Sequence, residues 1–299
     1  MMKKTNTLVA YFNILKHNSS KLPPLLSNKG GSSNAKGDPF EIFIKDMYCE
    51  EAQGYSYIED KTLRYDKYLS WSGDSKHFPD LIIRNGEGIE PKKLETKQGN
   101  LSLNSSFPKA YIYPTTQNVP TDKLDEDSNW IKKNVVYAVS CVPKKINNQK
   151  NDDQKCTSIW LAYGNTFIAD ESVYTTTIHD IKVGIESKVQ DLELASSLEL
   201  GRVKSVDPRK NSTLRIRGMW ELKNPQGLFS SHLDKSFVPT DCTSVNLVIL
   251  KSDYLLIEDK PDFSIFLEQK RLKILEVLIP DPNNNNSEIE ALIFQGYTE

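Results

Sequence analysis

Along this chain, stretches in which apolar and polar residues alternate are interleaved with stretches in which apolar residues recur at helical spacing. Leu8 to Leu15 follows Lys3 and Lys4 and superficially resembles a signal peptide. Asn13 interrupts its apolar run and no small-residue cleavage site follows, so an amphipathic first helix is predicted. Ser19 to Gly37 is rich in serine, glycine, proline and asparagine and reads as a flexible connection. A second helix follows: Asp38 can cap it, Pro39 suits its first turn, Glu41 completes a capping box, and Phe40, Phe43, Ile44, Met47 and Tyr48 repeat at helical spacing. Tyr65 to Trp71 alternates like a strand. Val135 to Val142 and Ile159 to Ala162 have the short apolar runs of buried strands, with a polar loop, Asn147 to Lys155, between them. Glu171 to Leu198 is mostly helical in pattern and acidic on balance, Thr243 to Ile257 and Lys273 to Leu278 look strand-like, and Asn283 to Asn286 forms a turn or loop. The mixture predicts an α/β fold, a central mixed β-sheet flanked by helices with additional carboxy-terminal strands. An amino-terminal helix and connection (1–36) would precede a single domain (37–299).

The segment from Phe78 to Lys93 carries the candidate chemistry. Leu81-Ile82-Ile83 is a short apolar run, Asn85-Gly86 is a strong turn signal, and Ile89 to Leu94 is long enough for a return strand, so a β-hairpin is predicted. Register decides what that hairpin can do. A two-residue loop would set Leu81 opposite Glu90 and point Asp80 to the other face of the sheet. A three-residue loop, Arg84-Asn85-Gly86 with Gly86 left-handed, would set Asp80 directly across from Glu90, with Lys92 on the same face. The second register is the expected one. Two opposed carboxylates repel unless a cation neutralises them, and magnesium prefers such oxygen ligands. Asp80, Glu90 and Lys92 therefore read as the parts of a magnesium-dependent nuclease. The metal would neutralise charge on a scissile phosphate, and Lys92 would orient the attacking water or stabilise the transition state. Pro91 stands between the acid and the lysine, lacks a ladder donor, and in this register faces Pro79.

Composition fits such an enzyme without requiring it. With 299 residues, 38% hydrophobic and 26% charged, the chain can bury the core of one large domain or two small ones. A net charge of −2 argues against a protein that coats nucleic acid indiscriminately. Charge is nevertheless uneven: seven basic residues (Arg202, Lys204, Arg209, Lys210, Arg215, Arg217, Lys223) face only Asp207 and Glu221 in the span from 202 to 223. Arg215 and Arg217 would share one face of a strand, either to read guanine in a groove or to guard an exposed edge. Asn104, Ser105, Ser106 and Lys109 could bind backbone phosphates near the cut or cap a helix starting there. The acidic 171–198 region is poorly suited to approach DNA. The four cysteines are scattered without a C-x-x-C pair and read as reduced thiols of a cytoplasmic protein. The four histidines form no motif, although His77 adjoins the hairpin. No segment approaches the apolar length of a membrane span.

Further blocks carry a resemblance: Leu101-Ser102-Leu103-Asn104-Ser105-Ser106-Phe107-Pro108-Lys109-Ala110, Ile159-Trp160-Leu161-Ala162-Tyr163-Gly164-Asn165, Glu199-Leu200-Gly201-Arg202-Val203 and Leu214-Arg215-Ile216-Arg217-Gly218-Met219-Trp220. In this order behind the acid-x-lysine hairpin, they resemble the NgoPII-type type II restriction endonucleases of the PD-(D/E)xK superfamily, from about residue 37 to at least 260. The resemblance implies a restriction-endonuclease-like core (about 38–170) followed by recognition and accessory elements (about 171–299). It implies cleavage of double-stranded DNA with Mg2+ at a short palindrome, G/C-rich and possibly GGCC, by a homodimer, with a cognate DNA methyltransferase as functional companion. Asp80, Glu90 and Lys92 match the catalytic signature, and Glu41 stands where a preceding helix can add a metal-site acid. The family pattern has an aliphatic residue at the position of Pro91. A second reading therefore keeps the fold and sequence-specific DNA binding but loses cleavage.

Overall fold

The computed structural model describes residues 3–24, 38–74, 76–104, 106–124, 126, 129–143, 154–187, 192–193, 199–204, 206, 208–209 and 211–299. Its elements are α1 (Thr7–His17), α2 (Pro39–Tyr48), α3 (Ile58–Tyr65), β1 (Leu69–Trp71), β2 (Leu81–Ile83), β3 (Gly88–Leu94), β4 (Leu101–Asn104), β5 (Tyr111–Ile112), β6 (Lys133–Cys141), β7 (Ser158–Tyr163), α4 (Glu171–Glu186), β8 (Leu192–Glu193), β9 (Glu199–Val203), β10 (Leu214–Arg217), β11 (Trp220–Leu222), α5 (Pro225–Phe229), β12 (Thr243–Leu250), α6 (Lys251–Leu256), α7 (Ser264–Glu268), β13 (Leu272–Pro280) and β14 (Glu288–Thr298). No helix among the described residues is long and apolar enough to cross a membrane.

Nine strands form the central sheet in the order β1-β2-β3-β6-β7-β12-β14-β13, with β5 added on β6. The β3–β6 and β7–β12 pairs are parallel and the others antiparallel, which makes the sheet mixed, as the interleaved patterns predict. β13 ends the sheet: among the described residues, no strand pairs with its outer edge. Two smaller sheets lie apart, β10-β9-β8 and β11-β4.

The sheet separates two apolar layers. On one face α1 and α2 deliver Leu8, Tyr11, Ile14, Phe40, Phe43, Ile44 and Met47 onto Ile89, Ala138, Leu161, Leu247 and Phe294. The amphipathic first helix is present, capped by Asn6, whose side chain accepts from the Val9 amide, and ended by left-handed Asn18. Tyr11 fixes it to the sheet by donating to the carbonyls of Val245 and Phe294. Ile82, Tyr137, Val139, Trp160 and Ile293 line the opposite face.

Several local expectations need correction. Asp38 caps α2 through the Phe40 amide, but Glu41 does not complete a capping box; its carboxylate turns along the helix to Lys45 Nζ at 2.7 Å. Tyr65 ends a helix instead of opening a strand, because Tyr65 and Lys61 on one side of α3 reach the buried Asp46. The strand expected over Thr243–Ile257 stops at Leu250, after which Lys251 pairs with Glu276 and Glu290 and the chain turns into α6. The start of the connection after α1 is tied down: Ser20 and Leu22 are buried, and Leu22 donates to the Gln154 carbonyl. Residues 25–37 of that connection, and most of the loop expected over Asn147–Lys155, lie outside the described residues.

Candidate active site

β2 and β3 pair with Leu81 opposite Ile89 and Ile82 opposite Gly88. Continuing that antiparallel register by one residue places Asp80 across from Glu90, the arrangement that a three-residue loop predicts. The turn differs in one detail. Asn85, and not Gly86, is left-handed (φ 56°), and the Gly86 amide donates to the Ile83 carbonyl. An asparagine at the third position of such a turn adopts positive φ at low cost.

Glu90 is the best-fixed member of the site. Its side chain is buried, Oε1 lies 2.6 Å from Lys92 Nζ, and Oε2 accepts from the Asp80 amide at 3.1 Å. Burial raises the Asp80 carboxyl pKa, and the negative charge of Glu90 pushes it further, to about 7. Burial works to lower the Lys92 ammonium, but the charge and hydrogen bond of Glu90, helped by Asp80 and Glu41, outweigh it and hold Lys92 above the usual lysine value. This is the signature of a site that carries more negative charge than it neutralises, so it suits a divalent cation held by oxygen ligands. Among the described residues, no group of three or more acids, histidines or cysteines that could hold a metal ion converges on one point, so the acidic cluster here is the Asp80 and Glu90 pair. Glu41 acts on Asp80 through charge, but its carboxylate is engaged by Lys45.

Pro91 does not interrupt the strand. β3 pairs with β6 without a break from Gly88–Val135 to Leu94–Cys141, passing through Pro91–Ala138. Because backbone groups alternate in direction, Ile89 and Pro91 aim theirs at β2, while Glu90 and Lys92 aim theirs at β6. The missing donor of Pro91 therefore falls where β2 has already ended, opposite Pro79, which lacks one too.

Two residues that sequence reasoning did not single out shape this end of the hairpin. Gly73 has φ 88°, and a Cβ there would lie 2.5 Å from the Asp80 carbonyl oxygen. Only glycine lets the incoming loop pass so close to Asp80. Tyr137 stands opposite Glu90 on β6 and shares its face, and its hydroxyl bonds both the amide (3.1 Å) and the carbonyl (3.3 Å) of Lys109. A tyrosine in a buried strand carries no sequence signal of such a contact. His77 bonds Asp74 at 2.7 Å and meets Trp71 edge-on, flanking the hairpin without entering the carboxylate pair.

The other predicted residues scatter around this face. Among the described residues, no helix begins near Ser106, so the capping reading for that segment falls away; Ser106 Oγ accepts from Lys109 Nζ at 2.9 Å. Lys109 is buried beside the rings of Phe78 and Phe107, and burial lowers its pKa to about 8. Asn104 lies in β4, paired with Trp220 of β11, and Ser105 lies outside the described residues. Arg215 of β10 is opposite Arg202 of β9, and Arg202 is also opposite Glu193 of β8. The irregularity between Ile216 and Arg217 arises in β9, where Leu200 is the extra residue, so β10 keeps the alternation that sets Arg215 and Arg217 on one exposed face. Lys204 follows β9 and is exposed. Two residues, Gly218 and Met219, join β10 to β11, which pairs with β4, the strand that follows β3 in the chain. α4 meets this face at its start, where Tyr174 stacks on Phe107 and meets Trp220 edge-on.

A family model described as NgoPII restriction endonuclease matches residues 5–280. The type II restriction enzyme NgoPII of Neisseria gonorrhoeae is 29% identical over 263 residues, an alignment covering 86% of this chain and 87% of that enzyme. No solved structure matches the chain.

Proposed function

The chain belongs to the NgoPII restriction endonuclease family, and from that premise we propose that it is a type II restriction endonuclease using Mg2+ to hydrolyse double-stranded DNA at a short palindromic, G/C-rich site such as GGCC. The observation that carries the mechanism is the opposition of Asp80 and Glu90, with Lys92 bonded to Glu90 at 2.6 Å. Asp80 and Glu90 would hold the magnesium ion. When bound, that ion supplies positive charge at the phosphate and lowers the pKa of a water. Lys92 presents its ammonium at the edge of the carboxylate pair, where it orients an attacking water and offsets charge building on the phosphate. Glu90 keeps Lys92 charged and in place, and Tyr137 packs beside it on the neighbouring strand. Hydrolysis then proceeds without a covalent enzyme intermediate.

Sequence reading is assigned to the exposed face of β10, where Arg215 and Arg217 can reach guanine edges, with Arg202 and Lys204 contributing positive charge. Asn104 and its neighbours continue from the catalytic strand toward the DNA backbone. A palindromic target implies a homodimer with its two-fold axis on that of the DNA. A host carrying this activity needs a cognate methyltransferase to protect its own sites.

Plasmid digestion tests the proposal. Wild-type protein with Mg2+ is expected to give discrete fragments whose ends define the site, and Asp80→Ala to give none while still retarding the same DNA in a gel. Sequence-specific retention without cleavage by the wild type would favour the second reading, a binding protein disabled at Pro91. The unbroken β3–β6 ladder through Pro91 weighs against it.

A further inference from the structure

Lys109 is a buried cation that forms no ion pair among the described residues. Its residue is 6% exposed, and its ammonium donates to Ser106 Oγ (2.9 Å) and the Phe107 carbonyl (3.3 Å) while lying 4.1 Å from the Phe107 ring centre and 4.9 Å from that of Phe78. Among the described residues, no carboxylate lies within ion-pair distance of it. Neutral oxygens and ring faces soften the burial of an ammonium but do not replace an anion. An ammonium has three N–H groups, and the two oxygens use two.

The position of this cation is fixed from both sides of the carboxylate pair. Phe78, which it touches, is two residues before Asp80. Tyr137, which clamps the Lys109 backbone at both amide and carbonyl, is the cross-strand neighbour of Glu90. Lys109 therefore sits on the Asp80–Glu90–Lys92 face, at a distance from which the charges of Glu171, at the start of α4, and then of Glu90 act on it. Placed there, a buried ammonium that no carboxylate contacts directly is a receptor for an anion brought by the substrate. We propose that Lys109 binds a backbone phosphate within two nucleotides of the scissile bond, so that the centre holds the DNA with two lysines, Lys92 at the cut and Lys109 beside it. The inference rests on the nuclease reading above.

Two variants and one set of substrates test it. The stems of Lys109→Gln and Lys109→Met retain most of the packing, and thermal unfolding reports whether each folds. The expected result is a slope of log affinity against log salt, measured without metal, that is shallower than wild type by about 0.9, the loss of one phosphate contact. Cleavage efficiency should fall roughly tenfold to a hundredfold. Methylphosphonate, which removes the charge of one phosphate, should cost wild type a similar factor at one position near the cut and cost the variants nothing further there. A variant that folds with the wild-type salt slope would show that Lys109 only staples its loop, and the proposal fails. If neither variant folds, the substrate scan on wild type decides: no sensitive phosphate within two nucleotides of the cut overturns it. Wild type that binds but never cuts would instead overturn the nuclease reading, and is distinguishable from both.

Discussion

Replacing Pro91 by valine is the sharpest test of whether this site is built to work. In the sheet, the backbone nitrogen of residue 91 faces the β2 side, where pairing has stopped at Leu81–Ile89, and the β3–β6 ladder does not depend on it. Valine would add one N–H opposite Pro79, and a hydrogen bond to that carbonyl is worth about 0.5–1.5 kcal/mol. Removing proline frees the unfolded chain and costs about 0.4–1 kcal/mol. The two effects oppose each other, so Pro91→Val should shift stability by no more than about 1 kcal/mol in either direction. Glu90 and Lys92 keep their face and their ion pair, and cleavage rates should stay within about fivefold of wild type, since tenfold requires about 1.4 kcal/mol. Urea unfolding monitored by tryptophan fluorescence and initial rates of plasmid cleavage measure both quantities. A rise in activity of a hundredfold or more would refute the reasoning, because it would mean that proline distorts the strand in a way the continuous ladder does not reveal.

Two other outcomes follow from close contacts. Asp46 receives Lys61 Nζ at 2.6 and 2.7 Å and the Tyr65 hydroxyl at 2.6 Å in a nearly solvent-free pocket. Asp46→Ala should cost about 3–5 kcal/mol by leaving the lysine charge stranded. The joint replacement Asp46→Leu with Lys61→Met should cost much less than the sum of its single variants, and additive losses in urea titrations would contradict this. Gly73→Ala forces a methyl group against the Asp80 carbonyl at a positive φ. It should destabilise the fold by about 1–3 kcal/mol and reduce cleavage far more than that loss alone explains. Unchanged turnover would show that the loop can yield without moving Asp80.

The hairpin of the candidate site was legible in the sequence because its determinants are local. Turn residues, strand alternation and a three-residue loop suffice to bring Asp80 opposite Glu90. What escaped depends on contacts distant in sequence. Tyr65 opens the stretch that alternates like a strand as far as Trp71, yet it closes α3, and only the buried Asp46, which its hydroxyl and Lys61 reach, shows why. Lys109 stands out in the sequence only as a candidate phosphate contact or part of a cap, and its burial is not legible until Tyr137 and Phe78 close around it. The capping box failed for a related reason: Lys45, one turn away, offers Glu41 a full charge where the backbone offers only an amide.

The unpaired outer edge of β13 limits how two copies can share one target. Five strand-to-strand steps separate β3 from β13, about 24 Å at the usual spacing. Two copies joined edge to edge through β13 would hold their carboxylate pairs roughly 50 Å apart. A four-base-pair palindrome is only about 14 Å long. A dimer that severs both strands of one such site must therefore meet through a surface other than the β13 edge, and a β13-joined assembly could only bridge two separate sites.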